Sequence, residues 1–90
     1  MSRPDPAAAL NGVQVGHICD SCNRRIRTGD KAVAYATYYE DEGWLIRRLM
    51  CNCGSRTIGL PTDGADEAII EAVYWSGRLV GVKTVDRSSP

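Results

Sequence analysis

The sequence predicts a small α+β domain: a β-hairpin between two cysteine pairs, then one α-helix and a C-terminal β-strand. Three observations predict it. Residues 31 to 39 alternate with a period of two, a polar turn follows, and a second apolar segment returns. Cysteines flank that hairpin as Cys19/Cys22 and Cys51/Cys53. Residues 63 to 77 then carry helix signals.

The elements follow in chain order. Residues 1–13 read as a flexible lead-in, rich in Pro and Ala without an apolar period. Residues 14–87 read as the folded domain and 88–90 as a flexible tail. Thr28-Gly29-Asp30 is a turn signal. In the strand after it, Val33, Tyr35, Thr37 and Tyr39 share one face, and Ala32, Ala34, Ala36 and Tyr38 the other. Glu40-Asp41-Glu42-Gly43 makes a polar turn, and Trp44 to Met50 is the returning strand. Asp63 is placed to cap a helix with Asp66 and Glu67 in its first turn, the sign the helix dipole favours. Ile69, Ile70, Val73 and Tyr74 fall at helical spacing, and Ser76-Gly77 supplies a left-handed stop. Arg78 to Val85 alternates again as the last strand. The expected core is the helix stripe laid on Val33, Tyr35, Leu45, Leu49, Val80 and Val82.

Ninety residues bury little surface, and scaffolds of this size usually need a metal, disulfides or a partner chain. The start has an apolar stretch broken by Pro4 and Pro6, which does not fit a secretory signal, and no run is long enough to span a membrane. The expected compartment is therefore the reducing cytoplasm, where paired cysteines read as a metal site before disulfides. Zinc takes tetrahedral thiolate ligands, and structural sites fill every position from the protein. Cys19-x-x-Cys22 is a standard half-site. Cys51-x-Cys53 is one residue tighter. On a regular strand its side chains would lie about 7 Å apart, whereas a zinc site has sulfur–sulfur edges of about 4 Å, so the backbone must turn there, helped by Gly54. The hairpin brings Cys22 and Cys51 together. The expected cofactor is one structural Zn2+ held by Cys19, Cys22, Cys51 and Cys53. His17, the only histidine, is an alternative ligand or a residue behind the ligands.

Cys19-x-x-Cys22, Ile26-x-x-Gly29-Asp30, Trp44-x-x-Arg47-Arg48 and the second cysteine pair resemble the treble-clef and zinc-ribbon fingers. More narrowly, they resemble small zinc-finger proteins of halophilic archaea and of their viruses and plasmids. That resemblance runs from about Cys19 to Arg87, through Glu71-Ala-Val-Tyr-Trp75 and Val85-Asp-Arg87. The resemblance implies a knuckle, a hairpin and a second knuckle around one zinc. The sequence departs from the pattern in its Cys-x-Cys pair and in a helix that starts about ten residues late for a treble clef.

Acidic and basic residues balance at 11 each, which argues against a strongly basic nucleic-acid binder. The basic side is nearly all arginine, as a GC-rich genome also produces. Arg24, Arg25, Arg27, Arg47, Arg48 and Arg56 surround the cysteines and suggest contacts to DNA or RNA phosphates, with Tyr35, Tyr38, Tyr39 and Trp44 as stacking surface. The same aromatics are also the obvious core of a chain without Phe, and Arg47 and Arg48 should face opposite ways on a strand. A second reading is a protein-interaction adaptor that uses the acidic helix face of Asp63, Asp66, Glu67 and Glu71. A third is a thiol redox switch. An enzyme is not expected: four cysteines leave zinc no open position, and no phosphate loop or nucleophile elbow is present.

Overall fold

The alternation at residues 31 to 39 produces strand β1 (Lys31–Tyr39), with the two faces expected for it. These features come from a computed structural model, which describes residues 4–53, 58 and 65–88. A three-residue loop, Glu40 to Glu42, leads into β2 (Gly43–Cys51). Gly43 takes φ 79°, the left-handed position that ends such a loop. Strands β3 (Glu67–Trp75) and β4 (Arg78–Ser88) form a second hairpin, and the sheet order is β2-β1-β3-β4.

The helix expected over residues 63 to 77 is not formed by the described residues of that range: residues 67 to 75 are β3, at the centre of the sheet. The fold is a mainly antiparallel β-sheet with one short helix, not an α+β domain. Each apparent helix signal has a sheet explanation. A central strand is buried on both faces, so its apolar residues lose the period of two. Ile69 and Ile70 pair with Tyr35 and Ala34 and point to opposite faces. Ser76 (φ 49°) and Gly77 (φ 84°) make the two-residue turn of the β3–β4 hairpin, so the left-handed glycine serves a hairpin instead of a helix cap. The expected stripe thus lies within the sheet and not on top of it. Asp63 and Gly54 lie outside the described residues.

Both β2 and β3 run antiparallel to β1, so they are parallel to each other and joined by a crossover. Ile58 lies in that crossover, and its N–H donates to Asp86 Oδ2 of β4 at 2.7 Å.

The lead-in carries the only helix among the described residues, α1 (Pro6–Leu10). Asp5 Oδ2 accepts from the Ala8 N–H at 3.1 Å, and Pro6 occupies the first turn where no amide is needed. Pro6 and Leu10 are buried. Residues 12 to 15 then run beside β4: Gly12 N–H donates to the Leu79 carbonyl, Leu79 N–H to Val13, and Val15 N–H to Gly77. This covers part of an otherwise open edge strand.

One core cluster joins Leu10, Cys19, Ile26, Trp44 and Leu79 to the sheet. Alanines make this possible. Ala36 pairs with Ala68 across the two central strands, and neither leaves a side chain in the way. Trp44 on β2 and Arg87 on β4 meet above them, with the guanidinium carbon 5.3 Å from the ring centroid.

Candidate metal centre

Four sulfur atoms converge where the first knuckle meets the end of β2. The Sγ atoms of Cys19, Cys22, Cys51 and Cys53 all lie within 4.8 Å of one another. Cys19–Cys53 is 3.7 Å, Cys22–Cys53 3.6 Å, Cys22–Cys51 3.5 Å and Cys51–Cys53 3.0 Å. A tetrahedron with metal–sulfur bonds of about 2.3 Å has edges of about 3.8 Å. A disulfide would bring two sulfurs to about 2.05 Å, and all four cysteines are free. The group can therefore hold a metal ion, with every ligand supplied by the chain.

Backbone geometry places each half. Asn23 N–H donates to the Cys19 carbonyl and Cys19 N–H to the Arg24 carbonyl, both at 2.9 Å, which closes the tight turn of the first knuckle. Asn23 sits at φ 60°, a left-handed conformation that asparagine tolerates better than most residues. Ile18 and Arg25 bridge across the base of the turn. Asp20 then docks the knuckle on β2. Its N–H donates to the Leu49 carbonyl and its Oδ2 accepts from the Leu49 N–H, both at 2.8 Å. Leu49 is two residues from Cys51, so this contact brings the halves together. The tighter Cys-x-Cys half is accommodated because β2 ends at Cys51 and the chain turns at Asn52 and Cys53.

The sulfurs differ in setting. Cys19 is buried, Cys51 half-buried, and Cys22 and Cys53 exposed. Burial pushes the Cys19 thiol up, but N–H groups of Cys51, Cys22 and Ser21 facing its sulfur outweigh that and bring it down to about 6. Cys53 is pushed up to about 12, chiefly by its bonds to the Cys51 and Cys22 sulfurs.

His17 is exposed and outside the four-sulfur group; its carbonyl accepts from the Ile26 N–H at 2.7 Å. Among the arginines, Arg24 and Arg25 line a cleft of about 380 Å³ beside the sulfurs, together with Lys31, Asp30, Cys51 and Cys53. Arg27 is exposed on the next turn, where its N–H donates to Asp30 Oδ2 at 3.0 Å. Arg47 and Arg48 lie farther along β2. A β-bulge beside Tyr35 and Ala36 leaves Arg47 without a paired residue on β1, so regular alternation does not govern it. Its Nη1 donates to the Tyr39 hydroxyl at 2.8 Å. Arg56 lies outside the described residues.

The aromatics expected as stacking surface are occupied elsewhere. Trp44 is 6% exposed and donates its Nε1–H to the Pro4 carbonyl at 2.7 Å. Tyr38 packs edge-on against it, and the Tyr35 hydroxyl donates to Glu67. Among the described residues the expected acidic helix face is not formed. Asp66, Glu67 and Glu71 are buried at the sheet: Asp66 accepts from Arg87, and Glu71 pairs with Lys31 at 3.7 Å and Lys83 at 3.4 Å. The adaptor reading loses its surface with the helix. The residues missed in the sequence are Asp20, Asn23 and Lys31 around the site. Asn23, directly after the second cysteine of a Cys-x-x-Cys turn, carried a legible signal for a left-handed position.

The sequence model of a protein family described as a domain of unknown function (DUF8112) matches residues 4–81. The chain belongs to the DUF8112 family. The DUF8112 match takes in α1, all four cysteines, β1 to β3 and the first part of β4. No curated protein and no solved structure matches the chain. Among the described residues, no helix is long and apolar enough to cross a membrane.

Proposed function

We propose that this protein is a non-enzymatic module built around one structural zinc ion, and that the end of the domain carrying the ion binds nucleic acid. The four-sulfur group carries the reading. Its sulfurs lie close enough together to share one metal ion, four cysteines are a donor set that zinc favours, and a site filled by four thiolates leaves no position for a substrate or an activated water. The ion would tie the segment from Ile18 to Ile26 to the end of β2, joining parts of the core that are distant in sequence. Arg24 and Arg25 beside the site support the nucleic-acid part, since guanidinium groups are forked donors for phosphate.

Native mass spectrometry of the reduced chain, before and after chelation, tests the metal reading when combined with circular dichroism. One zinc per chain, lost together with the cooperative melt, is expected. A fold that melts identically without metal would discard it. Electrophoretic or anisotropy titration with single-stranded and duplex DNA and RNA tests the second part.

A further inference from the structure

A second cleft, of about 340 Å³, lies where the chain leaving the first knuckle packs against the end of β3. His17, Arg25, Ile26, Arg27, Thr28 and Tyr74 line it, and none of them is acidic. Backbone bonds hold its walls in place. The Ile26 N–H donates to the His17 carbonyl at 2.7 Å. The Gly29 N–H donates to the Tyr74 carbonyl and the Tyr74 N–H to the Asp30 carbonyl, both at 2.8 Å. Thr28 Oγ1 accepts from the Ser76 N–H at 3.0 Å, which leaves its own hydroxyl proton to donate.

The cations of this cleft are not neutralised. Among the described residues, the guanidinium groups of Arg25 and Arg27 have neither an ion pair nor a hydrogen bond, whereas Lys31 and Lys83 share Glu71 and Arg87 holds Asp66. The acids of this part of the chain are committed to backbone amides. Asp20 Oδ2 accepts from the Leu49 N–H and Asp30 Oδ2 from the Arg27 N–H. Asp30 lines the metal-site cleft with Cys51 and Cys53, so that cleft carries both signs of charge and this one only the positive.

We infer that this second cleft binds a phosphate group, free or carried by a small molecule, between the guanidinium groups of Arg25 and Arg27, with His17 and the Thr28 hydroxyl as further donors. A guanidinium is a planar fork that meets two oxygens at once. Two forks, an imidazole and a hydroxyl offer more donors than the two oxygens of a carboxylate use, and they match the three terminal oxygens of a phosphate ester. The volume falls at the small end of ligand sites, which span about 300–1,000 Å³, and Ile26 and Tyr74 add apolar wall for a short carbon stem. The inference goes beyond the nucleic-acid reading and does not depend on it.

The test titrates the zinc-loaded full chain with inorganic phosphate, glycerol phosphate and acetate, at fixed pH and constant ionic strength. His17 is the only histidine, so its ring proton resonances report on this cleft alone. Both phosphates are expected to shift those resonances saturably and to raise the melting temperature, and acetate to do neither. Arg25→Ala and Arg27→Ala should each weaken binding about tenfold or more, with the melting temperature of the free protein unchanged. Arg48→Ala, which removes an exposed arginine outside the cleft, should leave the affinity as it is. Tighter binding of glycerol phosphate than of inorganic phosphate assigns the site to a phosphorylated small molecule, and the reverse to free phosphate. No saturable shift with either phosphate overturns the inference. An equal response to acetate, or a loss in Arg48→Ala as large as in Arg27→Ala, overturns it as well, since either would mean attraction to charge without a site.

Discussion

Asp20 and Leu49 exchange two hydrogen bonds: backbone N–H to carbonyl in one direction and backbone N–H to carboxylate in the other, both at 2.8 Å. This pair locks the first knuckle to the edge strand that ends in Cys51. Asp20→Ala should cost about 1–2 kcal/mol, since it leaves the Leu49 N–H without its charged acceptor. For a domain of this size that is a fall of roughly 4–8 °C in melting temperature per kcal/mol. Groups that orient ligands also tune metal affinity, typically by about 10–100-fold. A zinc-competition titration with a chromophoric chelator should therefore show weaker metal binding in Asp20→Ala. An unchanged zinc affinity would mean that the sulfurs are placed without this contact.

The four cysteines should not be equivalent. Cys19 is 0% exposed and lies in the core cluster, whereas Cys53 is exposed at the rim. Cys19→Ser should remove both a ligand and a core contact, and the protein should fail to show a cooperative melt. Structural zinc contributes on the order of 10 kcal/mol of coupled folding energy, comparable to the whole stability of a small domain. Cys53→Ser should retain metal with reduced affinity, because three ligands and the intact core remain. Mass spectrometry and thermal melts of the two variants check this order. Equal loss in both would contradict it.

Tyr35 predicts an alkaline limit. Burial, its bond to Glu67 and the Glu67 charge push the phenol up to about 12 from an ordinary value near 10. Between those values the unfolded chain has released this proton and the folded chain still holds it. Stability from this group is complete below about pH 10 and is lost as the pH rises through about 12. Absorbance titration at the tyrosinate band should show one tyrosine ionising late. Tyr35→Phe should remove that step and flatten the loss of stability in the same window.

How much of this was legible follows from burial. The β1–β2 hairpin was readable because β2 is an edge strand with exposed positions such as Arg48, and because Gly43 marks the turn. The cysteine group was readable for the same reason, since a hairpin fixes its own ends. β3 was not. Its first six residues are all buried, so Ile69 and Ile70 lie side by side with no polar gap to betray the period of two. Only the β-branched and aromatic content of Ile69, Ile70, Val73, Tyr74 and Trp75 favoured a strand. Helix α1 was announced by Asp5-Pro6, a cap followed by a first-turn proline, but its five residues are too few to show a periodicity.

The Ser76-Gly77 turn separates the hairpin from a helix end in an experiment. Both uses need a left-handed glycine, but only the hairpin turn also needs a left-handed residue just before it. Gly77→Ala should cost about 1–2 kcal/mol through backbone strain alone, since a Cβ there meets nothing within 4 Å. Ser76→Asn should stabilise the protein, because Asn-Gly is the preferred pair for this turn. Thermal melts measure both signs.

Arg87 couples the surface to the core. Its Nη2 and Nε donate to the two Asp66 oxygens at 2.8 and 3.2 Å, and its guanidinium carbon lies over the Trp44 ring. Asp66 is 2% exposed, so its charge depends on that fork. Arg87→Ala should cost about 3–5 kcal/mol, the scale for a buried charge that loses its partner. Arg87→Lys keeps the charge but not the two bonds of the fork, and should recover only part of the loss. Replacing Asp66 and Arg87 together by Asn and Leu removes the charged pair at once and should be milder than Arg87→Ala alone. Chemical denaturation of the three variants gives the order. If the double variant were the least stable, the pair would contribute more than the mutual neutralisation of two charges, and the contact of Arg87 with the Trp44 ring would be the larger part of its role.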